Sequence, residues 1–311
     1  MNVAFLGFQT WGKVTLEALL ACGRHRVSLV LTHSQSNHPY ETIWACSVAN
    51  LAEAAGIPLA TGRSTQEPEL RELLARAEAD VLVCSDWRTW VAPEVLALAR
   101  HGGVNVHDAL LPRYGGFAPI NWAVARGEME TGVTAHRMSA DLDLGDILVQ
   151  RRVPIGLEDT ATDVAQRIFP LLGEVTLEAL ELLQDPSFEP RPQDRSQATF
   201  FHKRTERESR IDWGLPSLEV YNLVRAQSDP YPNAFTHHHG RRLAIKRASL
   251  LEGAYCGTPG RVLCRVEAGV VVVCGDPGAP PRSLVVELVQ PEGGEPIAAQ
   301  RYFSRMAEYL G

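Results

Sequence analysis

The first 110 residues repeat one pattern: a short apolar, β-branched run, a turn, and then apolar residues at helical spacing. Val3–Phe8 is followed by Val14, Leu16, Leu19 and Leu20, stopping at Gly23. Arg26–Thr32 is followed by Ala45–Ala55. A helix over Pro68–Ala77 precedes the apolar run Asp80–Ser85, and a short helix with proline at its start follows over Pro93–Arg100. Gly103–His107 reads as the next strand. Runs that are apolar on both faces must be covered on both faces. The alternation therefore predicts a largely parallel sheet with helices on either side.

The pattern then changes. A glycine-containing loop after Leu111-Pro112 leads to a helix over Pro119–Arg126. Strands over Gly132–Met138 and Ile147–Pro154 follow, and then a long helix over Thr160–Leu183, with a kink expected at Pro170. Asp185–Gln197 holds three prolines among polar residues and reads as a linker. Beyond Ala198 the chain predicts one helix, Leu218–Ala226, and short strands over Ala234–His237, Arg242–Ser249, Gly260–Cys264, Gly269–Cys274 and Ser283–Val289. The expected fold is α/β: a Rossmann-like, mostly parallel sheet domain over 1–190 and a smaller β-rich, OB-like barrel over 200–311.

Composition narrows the function. The chain of 311 residues is long enough for two cores and carries a net charge of −7. The charge is uneven: residues 1–199 hold 25 acidic and 16 basic side chains, whereas residues 200–311 hold 12 acidic and 14 basic. An acidic main domain is a poor match for a phosphate backbone, so nucleic acid is disfavoured and a small or cationic substrate preferred. No run reaches the ~18 apolar residues of a membrane span. The N-terminus enters a strand directly, without the basic and apolar regions of a signal peptide, and a cytoplasmic location is expected. The six cysteines form no C-x-x-C and are expected to be buried free thiols. No metal site is expected. No His-x-x-x-His occurs, and His237-His238-His239 before Gly240 reads as a polar turn.

Three segments can carry chemistry. Gly7-x4-Gly12 after the first strand lacks the full G-x-G-x-x-G, and no acid ends the second strand at Thr32-His33, so a nicotinamide dehydrogenase is disfavoured. In Gly103-Val-Asn-Val-His-Asp-Ala-Leu-Leu-Pro-Arg-Tyr-Gly-Gly116, Asn105 and His107 flank Val106 and leave one face of a strand, at the sheet edge where open α/β folds bind ligands. In Ala140-Asp-Leu-Asp-Leu-Gly-Asp-Ile-Leu148, Asp141, Asp143 and Asp146 crowd one turn. Their repulsion is expected to raise some of their pKa values unless a cation or histidine stands near.

Asn105-x-His107-x-x-Leu-Leu-Pro112, followed by Leu142-Asp143-x-Gly145-Asp-Ile147, resembles the 10-formyltetrahydrofolate-dependent formyltransferases. Ala118-Pro-Ile-Asn-Trp122, Glu130-Thr-Gly-Val-Thr134, Asp212-Trp213 and Val224–Phe235 carry the likeness over nearly the whole chain. The resemblance implies that Asn105, His107 and Asp143 are catalytic. Asn105 would donate to the developing oxyanion, and His107, protonated, would stabilise it or protonate the departing folate nitrogen. Asp143 would keep His107 charged and help remove the amine proton through water. The pterin would lie against the loops Ser85–Val91 and Ser139–Asp143, with Arg88, Trp90, Val91, Ser139, Ala140, Asp141 and Asp143 as cofactor-binding residues. Gln9, Trp11 and Phe117 are candidates for the acceptor pocket. Two positions depart from the family pattern: Ala109 stands where serine is usual, and Phe117 where many members carry arginine.

Members of that family formylate tRNA, glycinamide ribonucleotide, nucleotide-linked amino sugars or, in hydroxamate-siderophore pathways, N5-hydroxyornithine. The tRNA enzymes carry a basic insertion after the second strand, whereas Thr32–Gly56 contains no Lys or Arg. Lys203-Arg204, Arg241-Arg242 and Lys246-Arg247 are the opposing basic clusters, the first with Glu206 and Glu208 beside it. A small amine or hydroxylamine is therefore the expected acceptor, N5-hydroxyornithine foremost. An amino-sugar nucleotide, initiator tRNA and a non-catalytic folate-binding relative are the alternatives.

Overall fold

The computed structural model describes residues 1–34, 42–253, 255–275 and 282–311. In chain order the elements begin β1 (Asn2–Gly7), α1 (Gln9–Ala21), β2 (Arg26–Thr32), α2 (Val48–Ala54), β3 (Leu59–Thr61), α3 (Pro68–Arg76), β4 (Val81–Ser85), α4 (Pro93–Leu96) and β5 (Gly103–His107). They continue with β6 (Gly115–Gly116), α5 (Pro119–Ala125), β7 (Glu130–Arg137), β8 (Ile147–Pro154), α6 (Ala161–Leu182), β9 (Phe200–Phe201) and α7 (Ser217–Ala226). Then come β10 (Phe235–His238), β11 (Arg241–Glu252), β12 (Val262–Arg265), β13 (Val270–Val272), β14 (Arg282–Pro291), β15 (Ile297–Ala298) and α8 (Ala299–Tyr302).

The first sheet has the order β3-β2-β1-β4-β5-β7-β8. β1 to β5 run parallel, and β7 and β8 are added antiparallel. The apolar strands explain the order. Val3–Leu6 and Val81–Cys84 are fully buried, so β1 and β4 take the centre. The order turns back on itself at β1, with β2 on one side and β4 on the other, which leaves the carboxyl ends of β1, β4 and β5 beside a crevice.

The second sheet is antiparallel, with the path β10-β11-β14-β13-β12 and β15 on β14. The carboxyl-terminal residues link its two edges. Leu310 bridges to His238 of β10, and Tyr309 to Arg261 beside β12. This closure is what the expected barrel requires, since it removes free sheet edges. Leu243, Ile245, Val262, Val270, Val272, Leu284, Val286 and Phe303 fill the interior, with Val220 and Val224 of α7 packed on them.

The chain divides into two compact units, 1–119 with 130–154 and 165–202, and 120–129 with 155–164 and 203–311. Asp185–Gln197 is not a free linker. It belongs to the first unit and is hydrogen-bonded to the loops described below. The thiols also differ from expectation: Cys84 is buried, but Cys46 and Cys256 are exposed. No described helix is long and apolar enough to cross a membrane.

Candidate active site

Strand alternation carries Asn105 and His107 to one face of β5, with Val106 buried on the other. The loop after β7 brings Asp143 to them. Asn105 Nδ2 donates to Asp143 Oδ1 at 3.2 Å. His107 Nε2 donates to the Tyr114 carbonyl at 2.9 Å, which assigns the proton to Nε2 and leaves Nδ1 without a hydrogen-bond partner among the described residues. The Gly116 backbone N–H donates to Asp143 Oδ2 at 2.9 Å. Asp143 takes a left-handed backbone conformation, φ 53°, and is buried. Gly145 lets this loop lie close on β7: a Cβ there would stand 1.7 Å from the Arg137 carbonyl oxygen.

The charges support one another. Burial alone would raise the Asp143 pKa, but the charge of His107, the nearby His136 and the Gly116 N–H together hold it far below the carboxylate range. Burial alone would lower the His107 pKa, but Asp143, Asp108 and the Tyr114 carbonyl outweigh it and raise it. The three acids of this loop do not crowd. Asp141 pairs with Arg195 at 2.8 Å, Asp143 turns inward and Asp146 is exposed, and with His107 and His136 beside it Asp143 meets the condition under which no upward shift was expected.

His136 belongs to this group and was not singled out from the sequence. It lies directly across from Asn105 in the antiparallel register of β5 and β7. Its Nε2 is 3.3 Å from Asn105 Nδ2 and 3.6 Å from Asp143 Oδ1. The Asn105 amide nitrogen thus faces inward, donating to Asp143 Oδ1 and lying beside the His136 ring. Donation to an oxyanion uses the hydrogen that Asp143 does not take. The signal in the sequence was the pairing Asn105↔His136, which is legible only once β7 is known to run antiparallel.

The segment 193–201, which starts in the expected linker and runs past it, holds the backbone groups that hold these side chains. Gly115–Gly116 pairs with Phe200–Phe201, and Thr199 Oγ1 accepts the Tyr114 N–H at 2.9 Å. The Tyr114 ring stacks on Phe201 at 4.9 Å. Gln193 spends both amide hydrogens on the carbonyls of Asp143 (2.8 Å) and Gly145 (2.7 Å). Gln193→Ala is expected to lower the unfolding free energy by about 1–2 kcal/mol. Urea denaturation measures this, and an unshifted midpoint would show that the segment does not brace the loop.

The remaining candidates form two groups. Trp90 Nε1 donates to the Ala140 carbonyl at 3.1 Å, and Ser139 Oγ to the Asp141 carbonyl at 3.1 Å, while Val91 is buried beside Trp90 in sequence. Arg88 joins the other group. Its Nη2 donates to Gln9 Oε1 at 2.8 Å, its guanidinium lies 3.4 Å from Asp86 and stands 4.7 Å over the Phe8 ring. Trp11 Nε1 donates to Asp108 Oδ2 at 3.0 Å, and Trp11, Trp44 and Phe169 meet edge to face, with centroids 5.1 to 5.9 Å apart. Phe117 is 39% exposed. Asp86, Asp108, Trp44 and Phe169 were not anticipated. Within the stretch Thr32–Gly56, residues 35–41 lie outside the described residues.

In the second unit, His238 Nε2 and Glu308 are 2.7 Å apart, and His239 Nε2 lies 3.7 Å from the same carboxylate. These are the donors of the three that approach within 4.8 Å of one another. His238 Nδ1 is also 2.9 Å from the Tyr302 hydroxyl, so the turn is built from internal hydrogen bonds.

Comparison with known proteins identifies the family. The family model described as formyl transferase matches residues 1–180, and that described as formyl transferase, C-terminal domain, matches 203–307. A methionyl-tRNA formyltransferase of Anaeromyxobacter dehalogenans is 35% identical over 295 residues, 94% of this chain and 93% of the relative. Among solved structures, HypX from Aquifex aeolicus superposes with a TM-score of 0.60 at 19% identity over 97% of this chain and 46% of that one, so the chain spans about half of its length. WlaRD, a sugar 3N-formyl transferase solved with dTDP and 5-N-formyl-THF, gives 0.68 at 17% identity over 94% and 97%. The N-formyltransferase from Helicobacter canadensis, solved with folinic acid and dTDP-3-aminofucose, gives 0.66 at 16% over 91% and 98%. At these identities the structures speak for the fold alone. With both family domains matched along its length and Asn105, His107 and Asp143 gathered at one sheet edge, the chain belongs to the formyl transferase family and is a formyl-transferring enzyme.

Proposed function

We propose that the enzyme carries a formyl group from 10-formyltetrahydrofolate to a small amine or hydroxylamine, N5-hydroxyornithine foremost. The donor side is the loop pair Trp90–Val91 and Ser139–Asp143, tied by the Trp90–Ala140 hydrogen bond. The neutral acceptor nitrogen attacks the formyl carbon. The new C–N bond forms as the carbonyl electron pair moves to oxygen, and charged His107 faces that oxygen. As the tetrahedral species collapses, the folate nitrogen leaves and takes a proton from His107. The proton lost by the acceptor nitrogen passes through water to Asp143, which restores His107. No covalent bond to the protein is needed.

The observation that carries the acceptor class is charge. Thr32–Gly56 has no Lys or Arg, and acidic residues exceed basic ones by nine over residues 1–199. A hydroxylamine is neutral near pH 7 and attacks without first losing a proton. The methionyl-tRNA formyltransferase relative at 35% identity favours a second reading, in which initiator tRNA is the acceptor. A third has an amino-sugar nucleotide in that place.

A competition at equal concentration of N5-hydroxyornithine, an amino-sugar nucleotide and charged initiator tRNA, scored by formyl mass gain, separates these readings. The hydroxylamine is expected to give the highest kcat/KM, with little change between low and moderate salt. A highest kcat/KM on tRNA that falls steeply with salt would establish the second reading instead.

A further inference from the structure

We propose that Asp108 is the acceptor-recognition carboxylate, forming with Trp11, Trp44 and Phe169 a subsite for the non-reacting ammonium and methylene chain of a small cationic acceptor. The inference rests on the reading of a small amine or hydroxylamine acceptor and names the residue that selects it.

Asp108 follows His107 directly, one residue beyond the end of β5, so it stands at the same sheet edge as the catalytic group. It is half-buried, and its position is fixed from a distant part of the chain by the indole N–H of Trp11 at 3.0 Å. Among the described residues no lysine or arginine pairs with it, and the charges that it feels are His107 and the like charge of Asp143. Burial raises its pKa, and the His107 charge and the Trp11 N–H only partly offset this. Two carboxylates thus flank one imidazolium. That balance draws in a cation, and an ammonium at Asp108 would complete the pairing that the protein leaves open.

The wall beside it fits the rest of such a ligand. Trp11 donates its N–H to Asp108 and keeps its ring for Trp44 and Phe169, which meet it edge to face at 5.9 and 5.1 Å. Aromatic faces next to a carboxylate suit an alkylammonium, whose methylenes pack on carbon while its charge meets oxygen and the ring quadrupole. A phosphate or a nucleotide diphosphate would instead be repelled by Asp108.

The test compares N5-hydroxyornithine with the same molecule acetylated on its α-amine, in wild type, Asp108→Asn and Trp11→Phe, with 10-formyltetrahydrofolate as donor. Asparagine can still accept the Trp11 N–H, so Asp108→Asn removes charge and spares the fold. Wild type is expected to prefer the free amine by about 10–100-fold in kcat/KM, the worth of one charge-assisted hydrogen bond. In Asp108→Asn the preference is expected to fall to within a few-fold, through acceptor KM more than kcat. Trp11→Phe keeps an aromatic ring, though a smaller one, and loses the N–H, and an intermediate preference is expected. If wild type formylates hydroxylamines but Asp108→Asn keeps the full preference, the Asp108 assignment is overturned alone. If wild type formylates tRNA and neither hydroxylamine, the acceptor reading and the subsite fall together.

Discussion

His107→Ala is expected to lower kcat by about 10²–10⁴-fold, the cost of losing a general acid that also faces the oxyanion. The side chain is buried and its Nε2–H is spent on the Tyr114 carbonyl, so the variant leaves a cavity and an unmet acceptor. His107→Gln serves as the companion, since its amide can still donate to that carbonyl while offering no titrating nitrogen. A comparable loss of turnover in both, with thermal unfolding of His107→Gln close to wild type, assigns the effect to proton transfer. Turnover near wild type in either variant would remove His107 from the reaction.

Asp143→Asn should have a loss of the same order, about 10²–10⁴-fold at neutral pH, and it should change the shape of the pH profile. In the wild type His107 is held charged above its ordinary pH range, against burial, chiefly by Asp143. Activity that needs the imidazolium should therefore persist upward in pH and fall as pH passes the raised pKa. Without the Asp143 charge the largest influence that opposes burial is gone, and the alkaline limb moves to lower pH. The same signs apply to folding. The stability contributed by His107 is fully present below about pH 6.5, its ordinary value, and is lost as pH rises through the raised one. That of Asp143 is present above about pH 3.9 and is lost below the usual carboxylate range, as pH falls through its depressed value. An alkaline limb in Asp143→Asn that coincides with wild type would show that Asp143 does not hold the proton on His107.

Much of the first sheet was legible because its central strands β1 and β4 are apolar on both faces and its other strands are sharply bounded. Arg26–Thr32, Gly103–His107 and Ile147–Pro154 match the structure residue for residue, since turn residues or charges bound each apolar run. What was missed was short or depended on distant partners. β3, β6, β9 and β15 have two or three residues each and exist only because a neighbour offers its edge. Pro93–Arg100 looked like a longer helix than α4, which stops at Leu96. Pro170 lies within an unbroken α6. Of the site, the local pair Asn105 and His107 could be read from period-2 alternation alone. Asp143 needed the family resemblance. His136, Asp108 and Gln193 act through residues 31 to 97 positions away, and no local pattern encodes such a partner.

The division of the chain into units has a consequence for how the protein emerges from the ribosome. The chain passes from one unit to the other five times, after residues 119, 129, 154, 164 and 202. Asn121 hydrogen-bonds the carbonyl of Ala226, and the carbonyls of Gly156 and Asp159 are met by Arg225. At a synthesis rate of roughly 5–20 residues per second, the segments 120–129 and 155–164 wait on the order of 5–20 s for α7 to be made. During that wait the backbone groups that α7 later meets, the carbonyls of Gly156 and Asp159, must be met by water. Co-translational completion is thereby tied to residues past 220. For the same reason a single genetic crossover cannot transplant either unit whole: any exchange of the carboxyl-terminal barrel between relatives also has to carry, or tolerate, the two inserted segments that precede it.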